Sequence, residues 1–279
     1  MASLIDAYVA RIGYTGALET TLDTLGGLVA AHNRSIPFEN LDPLTGVPVA
    51  DLSADALSDK LIGRRRGGYC YEHNGLLDYV LDELGFGVQR LAGRVVWMHD
   101  TDDLPAQTHQ VLSVTLPGPH DVAGGPYLVD VGFGGQTLTS PIRLETGEVQ
   151  QTRHEPYRLL DHAEGFELQA EVRGVWQPLY LLSARPCPRI DLEVGSWYVS
   201  THPKSPFVTG LTAALVTDDA RWNLRGRNLT VHRAGGSDKT RLDSAAEVLD
   251  VLADRFDINL ADLGDRADIE ARVTAVLDT

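Results

Sequence analysis

The hydrophobic period of the chain changes from helical to β-rich between Gly85 and Gly87, and this change limits the possible folds more than any other feature. Before it the period is helical. Leu22, Leu25 and Val29 share one stripe after Thr20 and Thr21, which predicts a first helix beginning near Leu22. Ile36 to Asn40 with Pro43 reads as a loop, because Pro37 disfavours helix at Ile36. A second helix is predicted from Ser53, a capping residue, through Leu57 and Leu61 to Gly63. A third carries Leu76, Leu77, Val80, Leu81 and Leu84 on one face, with Gly85 where a left-handed C-cap belongs. From Gly87 to about Leu182 the runs turn β-rich, as in Arg94 to Trp97, Gln110 to Val114 and Tyr127 to Val131, with Gly and Pro pairs between them. Past about residue 200, strands are expected over Ala213 to Thr217 and Leu229 to His232, then an amphipathic helix carrying Val248, Leu249, Leu252 and Phe256. The expectation is an α+β chain in three parts, residues 1–86, 87–199 and 200–279, sharing one body.

With 43% hydrophobic and 23% charged residues, the chain can bury a sizeable core. A net charge of -15 argues against nucleic acid, since counterion release needs a basic surface. An anionic small molecule would need local donors to overcome that field. The two cysteines, Cys70 and Cys187, make no disulfide framework and lack metal-ligand spacing, so no metal is expected and a reducing compartment is the simple reading. The start, Met-Ala-Ser-Leu-Ile-Asp, has no basic stretch followed by an apolar one, and no apolar run approaches the roughly 20 residues that span a bilayer. The expectation is a cytoplasmic protein without a membrane partner.

Chemistry concentrates in Arg64-Arg65-Arg66-Gly67-Gly68-Tyr69-Cys70-Tyr71-Glu72-His73-Asn74. The glycines let the backbone turn sharply, and Cys70 then falls at a helix N-terminus, where unpaired N–H groups favour a nucleophilic sulfur. The bland alternative is a buried small hydrophobe. Among nine histidines, His109 heads the strand pattern Thr108-His109-Gln110-Val111-Leu112, a rigid mount for a base. His73 is the rival, but three residues along the helix it should point away from the open side of Cys70. Asp130, inside the apolar run Val129-Asp130-Val131, is a costly place for a carboxylate without a partner. Cys, His and Asp together fit the logic of nucleophile, base and orienting acid.

These segments, together with Ile36-Pro37-Phe38-Glu39-Asn40-Leu41, Val129-Asp130-Val131-Gly132-Phe133-Gly134 and Ser200-Thr201-His202-Pro203-Lys204-Ser205-Pro206-Phe207, resemble the arylamine N-acetyltransferase family over nearly the whole chain. The resemblance implies an N-terminal helical bundle, a central β-barrel and a C-terminal α/β lid, with a papain-like cysteine-nucleophile core. It implies Cys70 as nucleophile, His109 as base and Asp130 as orienting acid in a ping-pong reaction of xenobiotic metabolism. Acetyl-CoA (or propionyl-CoA) would be a co-substrate, not a resident cofactor, and the acceptor an arylamine, N-hydroxyarylamine or arylhydrazine.

On the same footing, Thr108, Gly132, Phe133 and Gly134 would line the cleft, with Phe38 and Phe207 as aromatic walls. CoA phosphates would depend on Lys204 and His232, with Ser200 to Ser205, His202 and Arg233 as further donors. Arg66 is expected to pair with Glu39 and fix the nucleophile's loop, which gives the arginine run a structural role. Pro117 to Pro126 reads as a long hairpin loop. The competing readings are a thiol hydrolase or transglutaminase-like enzyme using the same three residues, and a binding protein on an inactive scaffold. Oligomeric state stays open.

Overall fold

The computed structural model of the chain describes residues 3–98, 103–117 and 125–277. The first part holds α1 (Leu4–Ile12), α2 (Leu22–Ser35), the short strand β1 (Phe38–Glu39), α3 (Leu41–Leu44), α4 (Ala54–Ser58), a π-helical turn over Asp59–Gly63, and α5 (Cys70–Glu83). Helix α5 buries Leu76, Leu77, Val80 and Leu81 completely. It ends as its sequence dictates: Gly85 adopts φ 91° and the Phe86 N–H donates back to Leu81 O at 3.0 Å.

Two expectations are corrected here. Helix α1 precedes the first predicted helix, with Ser3 and Asp6 in a reciprocal capping box and Gly13 left-handed at its end. Phe38 and Glu39 form a strand instead of a loop, because β1 pairs antiparallel with a strand of the last part, Phe38 opposite Ala214.

The middle part is one antiparallel sheet of β2 (Gly87–Val95), β3 (His109–Thr115), β4 (Tyr127–Val129), β5 (Ile142–Arg143), β6 (Val149–Gln150), β7 (Tyr157–His162), β8 (Gly165–Val172) and β9 (Val175–Pro186), ordered β5-β4-β3-β2-β9-β8-β7-β6. The sheet curls into a nearly closed barrel. Its two end strands meet through one side chain: the Gln150 carboxamide accepts from Arg143 N at 2.6 Å and donates to Arg143 O at 2.9 Å, as a strand neighbour would. Strand β4 stops at Val129, so Asp130 stands just past the strand rather than within it. Most of the expected hairpin loop, residues 118–124, lies outside the described residues.

The last part opens with a helix that the sequence reading did not anticipate, α6 (Arg189–Thr201), followed by α7 (Pro206–Thr209). Strands β10 (Thr212–Val216), β11 (Arg221–Arg225), β12 (Asn228–Arg233) and β13 (Gly236–Arg241) add to β1 in the order β1-β10-β11-β12-β13. Helices α8 (Ala245–Phe256) and α9 (Arg266–Leu277) complete the part; Val248, Leu249, Leu252, Phe256 and Val273 sit in its buried core with Leu224 of β11. Among the described residues no helix is long and apolar enough to cross a membrane.

Candidate active site

Cys70 is the first residue of α5, and its helix is capped by the chain's own acid: Glu72 Oε2 accepts the Tyr69 N–H at 3.1 Å. The thiol faces the start of β3, donating to Thr108 O at 3.7 Å. His109 is the first residue of that strand and is 2% exposed. The barrel register, which pairs Leu112 with Val129, sets Asp130 diagonally across from His109, and the His109 Nε2–H donates to Asp130 Oδ2 at 2.8 Å. That bond leaves Nδ1 as the nitrogen available to Cys70.

Burial alone would push the imidazole down, but the charge and hydrogen bond of Asp130, with Cys70 beside it, push its pKa up to about 10. Burial would conversely raise Asp130. His109, Asn74 and the Gly132 N–H together hold its carboxyl below the usual range.

Three further groups hold Asp130. Its Oδ1 accepts from Asn74 Nδ2 and from Gly132 N, both at 2.9 Å, and its carbonyl accepts from Thr137 Oγ1 at 2.7 Å. Asn74 also donates to Gln110 O at 2.7 Å and accepts from Val131 N at 3.0 Å, so one carboxamide joins α5, β3 and the loop after β4. Arg221 of β11, buried and paired with Glu155, donates to Gly135 O and Thr137 O and so backs this loop from the lid side. Tyr180 of β9 packs on His109 with ring centroids 4.8 Å apart.

Sequence reading gave Asn74, Thr137, Arg221 and Tyr180 no role. Asn74 carried a signal, since it lies one helical turn after Cys70 and therefore on the same side of α5. Thr137, Tyr180 and Arg221 carried none, because their contacts depend on the folded sheets.

The residues expected at the cleft fall into two groups. Phe133 packs edge-on against His109, centroids 5.2 Å apart, and Gly132 lies so close to the nucleophile that a Cβ there would stand 2.6 Å from Cys70 Cα. The second group is Phe38, Phe207 and Gly134: the two rings meet edge-to-face at 5.9 Å, and Gly134 lies against the ring of Phe38. Thr108 contributes its backbone carbonyl and is half-buried. Lys204 is exposed between α6 and α7. His232, on β12, bonds Ser237 at 2.7 Å, and burial together with Arg173 lowers its pKa. Among the described residues, neither shares a hydrogen bond or ring contact with Cys70, His109 or Asp130. Ser200 and Ser205, expected as phosphate donors, are instead buried and turned inward, donating to Ser196 O and Val199 O.

His73, the rival base, is out of play. Its Nε2 meets Pro37 O at 3.1 Å and its Nδ1 meets His32 at 2.8 Å, inside the helical part. Arg66 does meet Glu39, with Nε and Nη2 donating to Oε1 at 3.0 and 2.8 Å, and it also reaches Asp42 Oδ1 at 2.8 Å.

An N-acetyltransferase family model matches residues 21–264. Over the whole of both chains, the sequence is 68% identical to the arylamine N-acetyltransferase of Mycolicibacterium smegmatis. The chain belongs to the arylamine N-acetyltransferase family. A second relative, from Salmonella typhimurium, is named arylamine N-acetyltransferase / N-hydroxyarylamine O-acetyltransferase and is 33% identical over 99% of this chain and 96% of its own. In three dimensions the fold superposes on the Mycobacterium marinum arylamine N-acetyltransferase in complex with CoA, with a TM-score of 0.94, 62% identity, and 98% and 99% of the two chains covered. The chain is accordingly an acetyltransferase of arylamine N-acetyltransferase fold, with helical, barrel and α/β parts in that order.

Proposed function

We propose that the protein moves an acetyl group from acetyl-CoA to the nitrogen of an arylamine by way of a thioester on Cys70. The observation that carries the reading is the meeting of Cys70, at the first position of α5, with an imidazole whose other nitrogen is tied to Asp130 at 2.8 Å. Cys70 sulfur attacks the thioester carbonyl, its C–S bond to CoA breaks, and CoA leaves with the proton that His109 holds. The amine then attacks the acetyl-Cys70 carbonyl and gives a proton to His109. Cys70 leaves as thiolate, which restores the starting pair. Asp130 holds the ring with Nδ1 toward sulfur and stabilises its charged form. No resident cofactor takes part.

The flat walls of Phe38, Phe133 and Phe207 suit an aromatic acceptor ring. An arylhydrazine or N-hydroxyarylamine presents the same kind of nucleophilic atom, and the Salmonella relative's name includes the latter. A propionyl thioester would react by the same steps. Lys204, as a cation, and His232, as a hydrogen-bond donor, are the groups we assign to the CoA phosphates in a chain of net charge -15. Cys70 and Cys187 are both free thiols, which fits a reducing cytoplasm.

Steady-state rates at several fixed arylamine concentrations should give parallel double-reciprocal lines, because CoA departs before the amine reacts. Lines that intersect would require a ternary complex and leave Cys70 without the acyl group. Turnover of amide substrates with no transfer to an amine would point to hydrolysis instead.

A further inference from the structure

A carboxylate two residues after a nucleophilic cysteine works against it, because its charge opposes a thiolate in surroundings that salt screens poorly. Glu72 is 1% exposed and has a structural task of its own, accepting the N–H of Tyr69, the residue that leads into Cys70. Its second oxygen is occupied. Lys60 Nζ, delivered by the π-helical turn Asp59–Gly63, stands 2.6 Å from Glu72 Oε1 and 2.7 Å from Asp42 Oδ2, and Lys60 is itself 5% exposed. Arg66, the neighbouring buried cation, is engaged by Glu39, Asp42 and Asp262.

The charges that face Glu72 are therefore Lys60 from the turn, Asp42 from α3 and Glu39 from β1. Those that face Lys60 are Glu72, Glu39, Asp42 and Arg66. Cys70 faces His109 from β3 and the phenols of Tyr69 and Tyr71, which share α5's start with it. Within these groups Lys60 is the cation bonded to Glu72.

We propose that Lys60 is a positioning residue for the nucleophile: its ammonium neutralises Glu72, so that Glu72 can cap the turn before Cys70 without opposing the thiolate. The inference rests on Cys70 being the acylated residue. A cavity of about 260 Å³ lined by Asp42, Lys60, Arg64, Arg66 and Glu72 adjoins the pair, which gives a methionine at position 60 room to settle.

The test is the pH dependence of Cys70 alkylation by iodoacetamide in wild type, Lys60→Met, Glu72→Gln and the double variant, with thermal unfolding of each measured beside it. Lys60→Met should move the labelling profile to higher pH by on the order of one unit, the size expected of one poorly screened charge in the same helical turn as the sulfur at an effective dielectric of about 20. Adding Glu72→Gln should return the profile most of the way to wild type. A purely structural role would lower the unfolding temperature of Lys60→Met, leave its profile in place, and gain nothing from Glu72→Gln; that result overturns the proposal. If Lys60→Met does not fold, Glu72→Gln is compared with the double variant, whose profile should lie at higher pH. Coincident profiles there also overturn it. Protection of wild-type Cys70 by acetyl-CoA separates the two ideas: without protection the thioester reading fails, whereas the shifts between variants still report on Lys60.

Discussion

Asp130 has both carboxylate oxygens committed, one to the His109 N–H and the other to the N–H groups of Asn74 and Gly132. This makes Asp130→Asn a sharper probe than its small change in shape suggests. The two donors on Oδ1 require an oxygen there, so the amide NH₂ must face His109 Nε2. The ring then has to accept at Nε2 and carry its proton on Nδ1, the nitrogen that should take a proton from Cys70. Acetylation of Cys70 should fall at least about a hundredfold, since general-base assistance is worth roughly 10² to 10⁴ and the same substitution in a serine protease triad cost about 10⁴. Single-turnover acetylation, read beside thermal unfolding, checks this. A folded variant nearly as fast as wild type would show that Asp130 does not orient His109.

At the scale of elements, α2 and α5 are joined by a buried relay. Pro37 O accepts from His73 Nε2, His73 Nδ1 must then accept from His32 Nε2, and His32 Nδ1 accepts from Tyr8 OH, with the last two bonds each 2.8 Å. This order satisfies every group only when both rings are neutral. Burial pushes His73 down to about 4 and His32 well below its usual value near 6.5. The stability that neutral His73 contributes is thus complete above about pH 6.5 and is lost as pH falls toward 4, about 3 kcal/mol in all. His109 acts oppositely: raised to about 10, it contributes fully below 6.5 and loses that contribution as pH rises. Urea unfolding midpoints between pH 7 and 4.5 should fall steeply, and a flat profile would contradict the neutral relay.

The elements that sequence could reveal are those whose apolar face is buried. Leu76, Leu77, Val80 and Leu81 gave α5, and Val248, Leu249, Leu252 and Phe256 gave α8. Helix α6 blurs that rule. It buries Leu192 and Val199 together with Ser196 and Ser200, sets Gly195 against the Tyr71 hydroxyl, and exposes Ile190, Val194 and Trp197, so its apolar residues are split between two sides. Helix α9, resting on little more than Ile269 and Val273, is too sparse a pattern to read alone. Cys70, His109 and Asp130 stand out in the sequence because each occupies an unusual local setting, whereas the partners of Lys60, Thr137 and Arg221 follow no sequence pattern and are seen only in the folded chain.

Across the whole molecule, the site exists where the three parts meet. The bundle supplies Cys70, Glu72 and Asn74, the barrel supplies His109 and Asp130, and Arg221 reaches from the lid sheet to the loop carrying Asp130. The buried ions Lys60, Arg66, Glu39 and Asp42 lock β1 and α3 onto the turn before Cys70. Each part alone holds an incomplete set. Acyl transfer to Cys70 in the assembled molecule is read from the intact mass of the protein after mixing with acetyl-CoA and no acceptor. One acetyl group should appear, be traced to Cys70 by peptide mapping, be absent from Cys70→Ala, and disappear when an arylamine is added. An unchanged mass under conditions where the arylamine is acetylated in turnover, or an acetyl group elsewhere in the chain, would contradict the account.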